Sequence, residues 1–433
     1  MHTKKHLSFA GLRKTAAKHF QQVDDQRQAG KVDFAIHDCL MSGFAMMLFQ
    51  DRSLLSFQRR MEQRAELSNL KSVFGVQSVP KDTQMRDVLD PLSLDLFDPI
   101  FVGFLSALQR GKHLSHYQFL EGKYLMPIDG SEYFSSEAIH CPSCLHKKPK
   151  KGKTRYHHQI LQAVIVHPDK KQVLPLSPEP IRNTDGSDKQ DCETNAAKRK
   201  IAAIRKSHPK LGIIITGDGL FSNQPFVDAV KDQRMSFILV AKPDDHKVLF
   251  QWVDELMGLG AGDHLTHTDK KGRVHRYQWV NQVPLNGTKD ADDVNFFKYQ
   301  IIKDGKVNFQ NSWVTDITID QDNIKDLVKG GRARWKIENE TFNTLKNQGY
   351  HIEHNYGHGK QNLSMVFFIL NLLAFYVHQI LESTDLLYQK CRSKFSSREE
   401  YWNHLRTLFN LFRFRDWEHM LSFLYDPPEW DPP

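Results

Sequence analysis

Five cysteines spread over 433 residues are too few to staple a chain of this length. A disulfide scaffold is therefore excluded, and a reducing compartment such as the cytosol is expected. Long apolar runs are as scarce. One extends from Leu363 to Leu381, with Asn371 in its middle, Asn362 and Ser364 at its start, and His378 and Gln379 near its end. A lone run carrying these polar groups reads as a buried core helix, not a membrane span. The basic start, Met1-His-Thr-Lys-Lys-His, has no apolar block behind it, so no signal peptide is expected. No internal repeat is present. Acidic residues number 51 against 59 lysines and arginines, a net charge of +8. That balance favours a polyanionic partner over an acidic protein surface.

The chain is organised around Arg332-Ala-Arg-Trp-Lys-Ile-Glu-Asn-Glu-Thr-Phe-Asn-Thr-Leu-Lys346, which reads as a helix. Trp335, Glu338, Phe342 and Leu345 fall on one face at i, i+3, i+7 and i+10. Three of them are apolar, so that face is the expected buried one, and Glu338 lies in line with it. A carboxylate there needs a cation or metal. Arg334, one turn earlier, can balance it, and Glu340 is expected in solvent. Asp129, in Tyr124-Leu-Met-Pro-Ile-Asp-Gly130, and Asp218, in Gly212-Ile-Ile-Ile-Thr-Gly-Asp-Gly219, each end a short apolar run with glycine next. This is the pattern of an inner strand delivering a carboxylate to a sheet edge. Three such carboxylates make a hard-oxygen site for Mg²⁺ or Mn²⁺, with two ions able to serve an in-line attack on a phosphodiester.

Asp129, Asp218 and Arg334-x3-Glu338 together resemble the DDE transposases of bacterial insertion sequences. The nearest group has a Tyr-x2-Arg-x3-Glu-x6-Lys signature and a β-rich insertion before the glutamate. The resemblance runs from about Tyr124 to Ile380. Gly331 stands in the place of the signature tyrosine, and Lys346 falls one residue after the place of the lysine. What the resemblance implies is an α/β, RNase H-like mixed sheet with Asp129, Asp218 and Glu338 as metal ligands. It also implies action on element ends and target DNA, a homodimer assembled on DNA, and work at the bacterial nucleoid. In relatives an aromatic of the insertion stacks on a base drawn out of the duplex. Trp279 and Trp313 are the candidates here, with packing in the sheet the plainer reading. Two rival functions keep the same core: a nuclease that cuts without joining, and a domesticated DNA-binding protein without catalysis.

The expected organisation follows. Residues 1–120 are helical, with Asp33 and Asp82 as helix caps and basic clusters at Lys4, Lys5, Arg13, Lys14, Lys18 and at Arg59, Arg60, Arg64, suited to gripping DNA ends. Residues 121–242 hold the first part of the core. Its strands are expected at Tyr124–Ile128, Tyr156–Val166, Gln172–Leu176, Leu211–Thr216 and Ser236–Lys242, and its helices at Asp188–Ser207 and around Phe226–Lys231. Residues 243–320 form a β-rich insertion, where Lys271–Val280 alternates and Asp304-Gly305 turns a hairpin between Phe296–Ile302 and Val307–Trp313. Residues 321–385 return to the core. Residues 386–433 form a helical unit, opened by a capping box at Ser397-x2-Glu400, and a Pro-rich tail expected to be disordered.

Four smaller features carry chemistry. His140-Cys-Pro-Ser-Cys144 is half of a zinc site or a pair of buried thiols in a tight turn. His140, His146, His157, His158 and Cys192 are candidates to complete it. The run Lys147-Lys-Pro-Lys-Lys-Gly-Lys153, including Lys150 and Lys151, is a solvated loop or a phosphate contact. Asp191 and Glu193 suit a helix N-terminus better than catalysis. The histidines of Gly349–Gly359 fit no common zinc spacing and are read as phosphate contacts.

Overall fold

Tyr124–Ser136 (β1) lies inside a sheet whose other strands arrive from distant parts of the chain. The computed structural model describes residues 4–28, 32–51, 53–61, 68–183 and 190–427. Arg64, Asp188, Lys189 and the end of the Pro-rich tail lie outside these. The remaining strands are β2 (Leu145–Lys147), β3 (Arg155–Ile165), β4 (Leu174–Pro175), β5 (Glu179–Ile181), β6 (Ile213–Gly217), β7 (Ser236–Val240), β8 (Asp263–Thr268), β9 (Val274–Pro284), β10 (Asp293–Lys303) and β11 (Lys306–Thr315). Their order across the sheet is β2-β3-β1-β6-β7-β11-β10-β9-β8, with β4 and β5 also pairing along β3. β1, β6 and β7 are parallel, and the other pairings are antiparallel. The fold is thus mixed α/β with a mixed sheet. β6 is buried along its whole length, as the Ile-Ile-Ile run requires of a strand covered on both faces.

Helices Glu193–Ser207 and Gln224–Asp232 connect the parallel strands. The first buries Ala196, Ala197, Ile201 and Ile204, the stripe that its spacing predicts. The second starts at Asn223, whose side chain accepts from Phe226 N, with proline in the first turn. The segment 243–320 is β-rich and carries four strands, β8 to β11. β11 pairs antiparallel with β7 through Ile238, Leu239 and Val240, so the insertion strands prolong the core sheet. Asp304 and Gly305 both have positive φ, 51° and 73°, the backbone that a tight two-residue hairpin needs. β8 and the helix Lys247–Gly258 were not legible in the sequence pattern.

The long helix Leu363–Thr384 is apolar and long enough to cross a membrane, but 94% of its most apolar window is buried inside the protein. Its buried amide and imidazole side chains are engaged. Asn371 donates to Tyr350 O at 2.7 Å and accepts from Gln50 at 3.1 Å; His378 Nδ1 meets the Tyr350 hydroxyl at 2.8 Å; Gln379 accepts from Val173 N at 3.1 Å. Helix Ile36–Leu48 packs against it at Gly43, where a Cβ would sit 2.8 Å from Leu370. That helix is capped by Ala35, not Asp33, and Asp82 lies inside its helix after the cap Lys81. The N-terminus of the long helix is held by Asp90, whose carboxylate accepts from the amides of Lys360, Gln361, Asn362 and Leu363 at 2.8–3.0 Å. At the C-terminal unit, Ser397 accepts from Glu400 N and Glu400 reaches back to Ser396 N, so the capping box forms. Its aromatics pack on the first helices, with Trp417 stacked on Phe9 at 4.3 Å.

Candidate functional site

Asp129 does not end its strand. β1 runs on to Ser136, and Gly130 pairs with Leu161 of β3. What stops near Asp129 is the other neighbour. The parallel ladder between β1 and β6 finishes at Pro127–Thr216, and two residues further along each strand stand Asp129 and Asp218. Beyond the ladder the two strands are free to part, and Asp218 enters a turn in which its carboxylate accepts from Leu220 N at 3.0 Å. The register thus brings the two aspartates to one end of the parallel strands.

Glu338 comes from a helix that is interrupted. Ile324–Ala333 is α-helical, Ile337–Phe342 is a wider π-type turn, and Asn343–Asn347 is α-helical again. The wider turn rotates the faces relative to a 3.6-residue period. Ile337, Thr341, Thr344 and Leu345 are therefore inward, whereas Trp335 is 44% exposed and the Glu338 side chain is 50% exposed. Trp335 and Glu338 do not lie on a buried stripe, and Glu340 is half-buried, not solvated. Glu338 is instead held by charge. Arg334 reaches its Oε1 at 2.7 Å and Asp129 Oδ2 at 3.8 Å, joining helix to strand.

A fourth carboxylate belongs to the group. Glu193 opens its helix, yet it makes no cap: its side chain turns to the sheet, accepting from Gln159 Nε2. It occupies the space beside Gly130, where any Cβ would collide with it. Its proximity to Gly130, next to Asp129, was not visible in the sequence, where a first-turn acid reads as a cap. Burial and the negative charges of Asp218, Glu338 and Glu193, opposed by Arg334, push Asp129 up to about 7. Burial and Asp218 likewise raise Glu193. Asp191, by contrast, pairs with Arg199 at 2.7 Å, away from this chemistry.

The acidic residues influence one another electrostatically but do not form a closed ligand set. Among the described residues, one group of three or more potential ligands has all its atoms within 4.8 Å of one another: Cys141, Cys144, His158 and His358, all buried. This cluster can hold a metal ion such as zinc. Cys141 and Cys144 flank a turn closed by Cys144 N donating to Cys141 O at 3.1 Å. His158 lies on β3, and His358 on the segment before the long helix. Of the candidate ligands, His158 takes part; His140, His146, His157 and Cys192 do not. His358, in the stretch whose spacing argued against zinc, supplies the fourth position. The Cys144 thiol and His158 lower Cys141 against its burial, and the same pairing raises Cys144. Burial lowers His358, which favours the neutral imidazole that a metal needs.

The proposed DNA contacts divide. Trp279 and Trp313 are 1% and 0% exposed. Trp313 stacks on Phe297 at 5.2 Å, so both are sheet residues and cannot receive a base. Among the described residues the exposed tryptophans are Trp252 and Trp335. Lys150 and Lys151 are exposed. Lys346 is half-buried, donating to Glu132 O at 3.1 Å and pairing with Glu353 at 2.9 Å. No protein-family model matches the chain, and no curated protein matches it either.

Proposed function

We propose that the chain is a DNA transposase of the DDE type on an RNase H-like core, cutting element ends and joining them to target DNA. The observation that carries the reading is that the β1–β6 register puts Asp129 and Asp218 at one end of the parallel pair, while Arg334 links Asp129 to Glu338. The strand order β4-β3-β1-β6-β7, antiparallel in its first part and parallel in its second, supports the RNase H-like assignment. The donor set is all hard oxygen, and a single arginine faces carboxylates crowded enough to raise Asp129. Both features suit Mg²⁺ or Mn²⁺. A pair of such ions would not require all three carboxylates to touch one another, and Asp129 is the acid that feels both Asp218 and Glu338.

Bound there, such ions would activate the attacking hydroxyl and neutralise charge at the phosphorus. The chain's own residues do the placing. Arg334 holds the exposed Glu338 side chain toward Asp129. Lys346 fixes the following helix to β1 through Glu132 O. Trp335, exposed one residue from Arg334, offers a flat apolar face to an unstacked base, and the lysines after β2 offer charge to phosphates. In this reading the protein acts as a homodimer on its DNA.

The test uses duplexes carrying the DNA that flanks the gene, incubated with the full chain and Mg²⁺ or Mn²⁺. Cleavage that leaves a 3′-hydroxyl, followed by joining to a second duplex, is expected. Both steps should vanish in Asp218→Asn. Cutting without joining would assign a nuclease, and tight binding with no cutting under either metal would overturn the catalytic reading.

A further inference from the structure

We infer that Cys141, Cys144, His158 and His358 bind one Zn²⁺ that clamps the far end of the β1–β3 hairpin to the segment following the glutamate helix. The argument is metric. Zinc–sulfur bonds near 2.3 Å and zinc–nitrogen bonds near 2.0–2.1 Å define a tetrahedron with edges of about 3.8 Å (S–S), about 3.5 Å (S–N) and about 3.3 Å (N–N). Five of the six edges found are 3.8 Å between the two sulfurs, 3.7, 3.5 and 3.4 Å between sulfur and Nε2, and 3.1 Å between the two Nε2 atoms, and the sixth, from Cys141 to His358, lies within 4.8 Å. Two thiols and two imidazoles merely packed together have no reason to match five edges of one tetrahedron.

The surroundings agree. His358 Nδ1 meets Gly359 O at 3.0 Å, which puts the proton on Nδ1 and turns the Nε2 lone pair inward, as a metal ligand requires. Cys141 N donates to Cys144 Sγ at 3.4 Å, a bond that stabilises a thiolate. Phe134 lies 4.5 Å from the His358 ring and Tyr133 stacks on His158, so the centre is shielded from water. Binding deprotonates both thiols, and their protons pass to the buffer. The ion joins residues 214 positions apart and so ties down segments that the sheet hydrogen bonds do not reach.

The inference does not depend on the transposase reading, and its test needs no DNA. The untagged full chain, purified without added metal, should contain about one zinc per chain. X-ray absorption at the zinc edge should show two sulfur and two nitrogen neighbours. Cobalt substitution should give the visible bands of a tetrahedral thiolate site. Stripping the metal with a strong chelator should lower Tm by more than about 5 °C and speed amide exchange in 131–158 and 352–362 while leaving β8–β10 unchanged. His358→Ala should lose zinc, whereas the exposed neighbour change His354→Ala should keep it. If His358→Ala fails to fold, the metal content and spectra of the wild-type protein still decide. Less than a tenth of an equivalent of metal after incubation with zinc and desalting, or a zinc shell of oxygen and nitrogen alone, would overturn the inference.

Discussion

Asp129→Asn should make the protein more stable at neutral pH, although it removes a residue assigned to the proposed catalytic site. Asp129 sits at about 7, against an ordinary 3.8, so the folded state holds its proton more tightly than the unfolded chain does. Between these values the unfolded chain is ionised while the folded one is still protonated. Stability is therefore full below about pH 4 and is lost as pH rises through 7. The gap between about 7 and 3.8 sets a ceiling of about 4 kcal/mol, at about 1.4 kcal/mol per pKa unit. One-fifth of the side chain is exposed and Arg334 lies at 3.8 Å, so screening and the lost ion pair reduce the expected gain to about 1–3 kcal/mol. The assay is urea denaturation of wild type and Asp129→Asn from pH 4 to pH 8, in buffer without magnesium or manganese. The two curves should coincide near pH 4 and separate steadily to pH 8, with the variant above. A difference that stays constant with pH, or a variant that is less stable at pH 8, would refute the crowding of carboxylates on which the site is built.

Three other perturbations probe separate features. Gly331→Ala would bring a Cβ within 2.6–3.0 Å of the Trp313 indole; a loss of about 1–3 kcal/mol in urea is expected from overpacking, and an unchanged midpoint would mean the contact relaxes freely. Asp90→Ala should cost about 2–4 kcal/mol by orphaning four amides at the start of the long helix. Burial raises the Asp90 pKa, but the four amides outweigh it and lower it overall, so this contribution is present above the ordinary carboxylate pKa and is lost as pH falls through the lowered one; a wild-type advantage that persists undiminished at pH 2 would contradict this. Trp335→Ala should leave Tm unchanged and weaken binding to single-stranded DNA by roughly fivefold or more, in line with about 1–3 kcal/mol per stacked base; equal affinity by fluorescence anisotropy would remove it from the DNA face.

What could be read in the sequence was what depends on near neighbours. The apolar runs before Asp129 and Asp218 did mark inner strands, and Asp304-Gly305 did mark its hairpin, because alternation and turn chemistry act over a few residues. The glutamate helix departs from its expected face for a physical reason: a 3.6-residue period does not hold through a stretch that contains a π-type turn, so Ile337 lies inward where that period would put Trp335. β8 escaped notice because Asp263-His-Leu-Thr-His-Thr268 is an edge strand exposed on both sides, with no burial to impose a pattern. The Cys-x2-Cys pair and His158 were within reach of the sequence. His358 was not, since 214 residues separate it from Cys144 and the fold alone makes them neighbours. Glu193 shows the converse failure. Its position at a helix start satisfied a local rule, and that rule concealed the side chain's turn toward the aspartates.

The joining of β11 to β7 fixes a length. From β6, which delivers Asp218, the sheet passes through β7, β11, β10 and β9 to β8. Five steps at about 4.8 Å each span roughly 24 Å, or about seven base pairs of duplex at about 3.4 Å per pair. Because every step is a hydrogen-bonded ladder, nothing along this path can hinge without breaking backbone pairs. In the proposed transposase the outer strand would then work as a ruler: a DNA feature docked on β8 would be held at a set number of base pairs from the phosphate to be cut, and lengthening or shortening that spacing in the substrate should shift the cut rather than bend the protein.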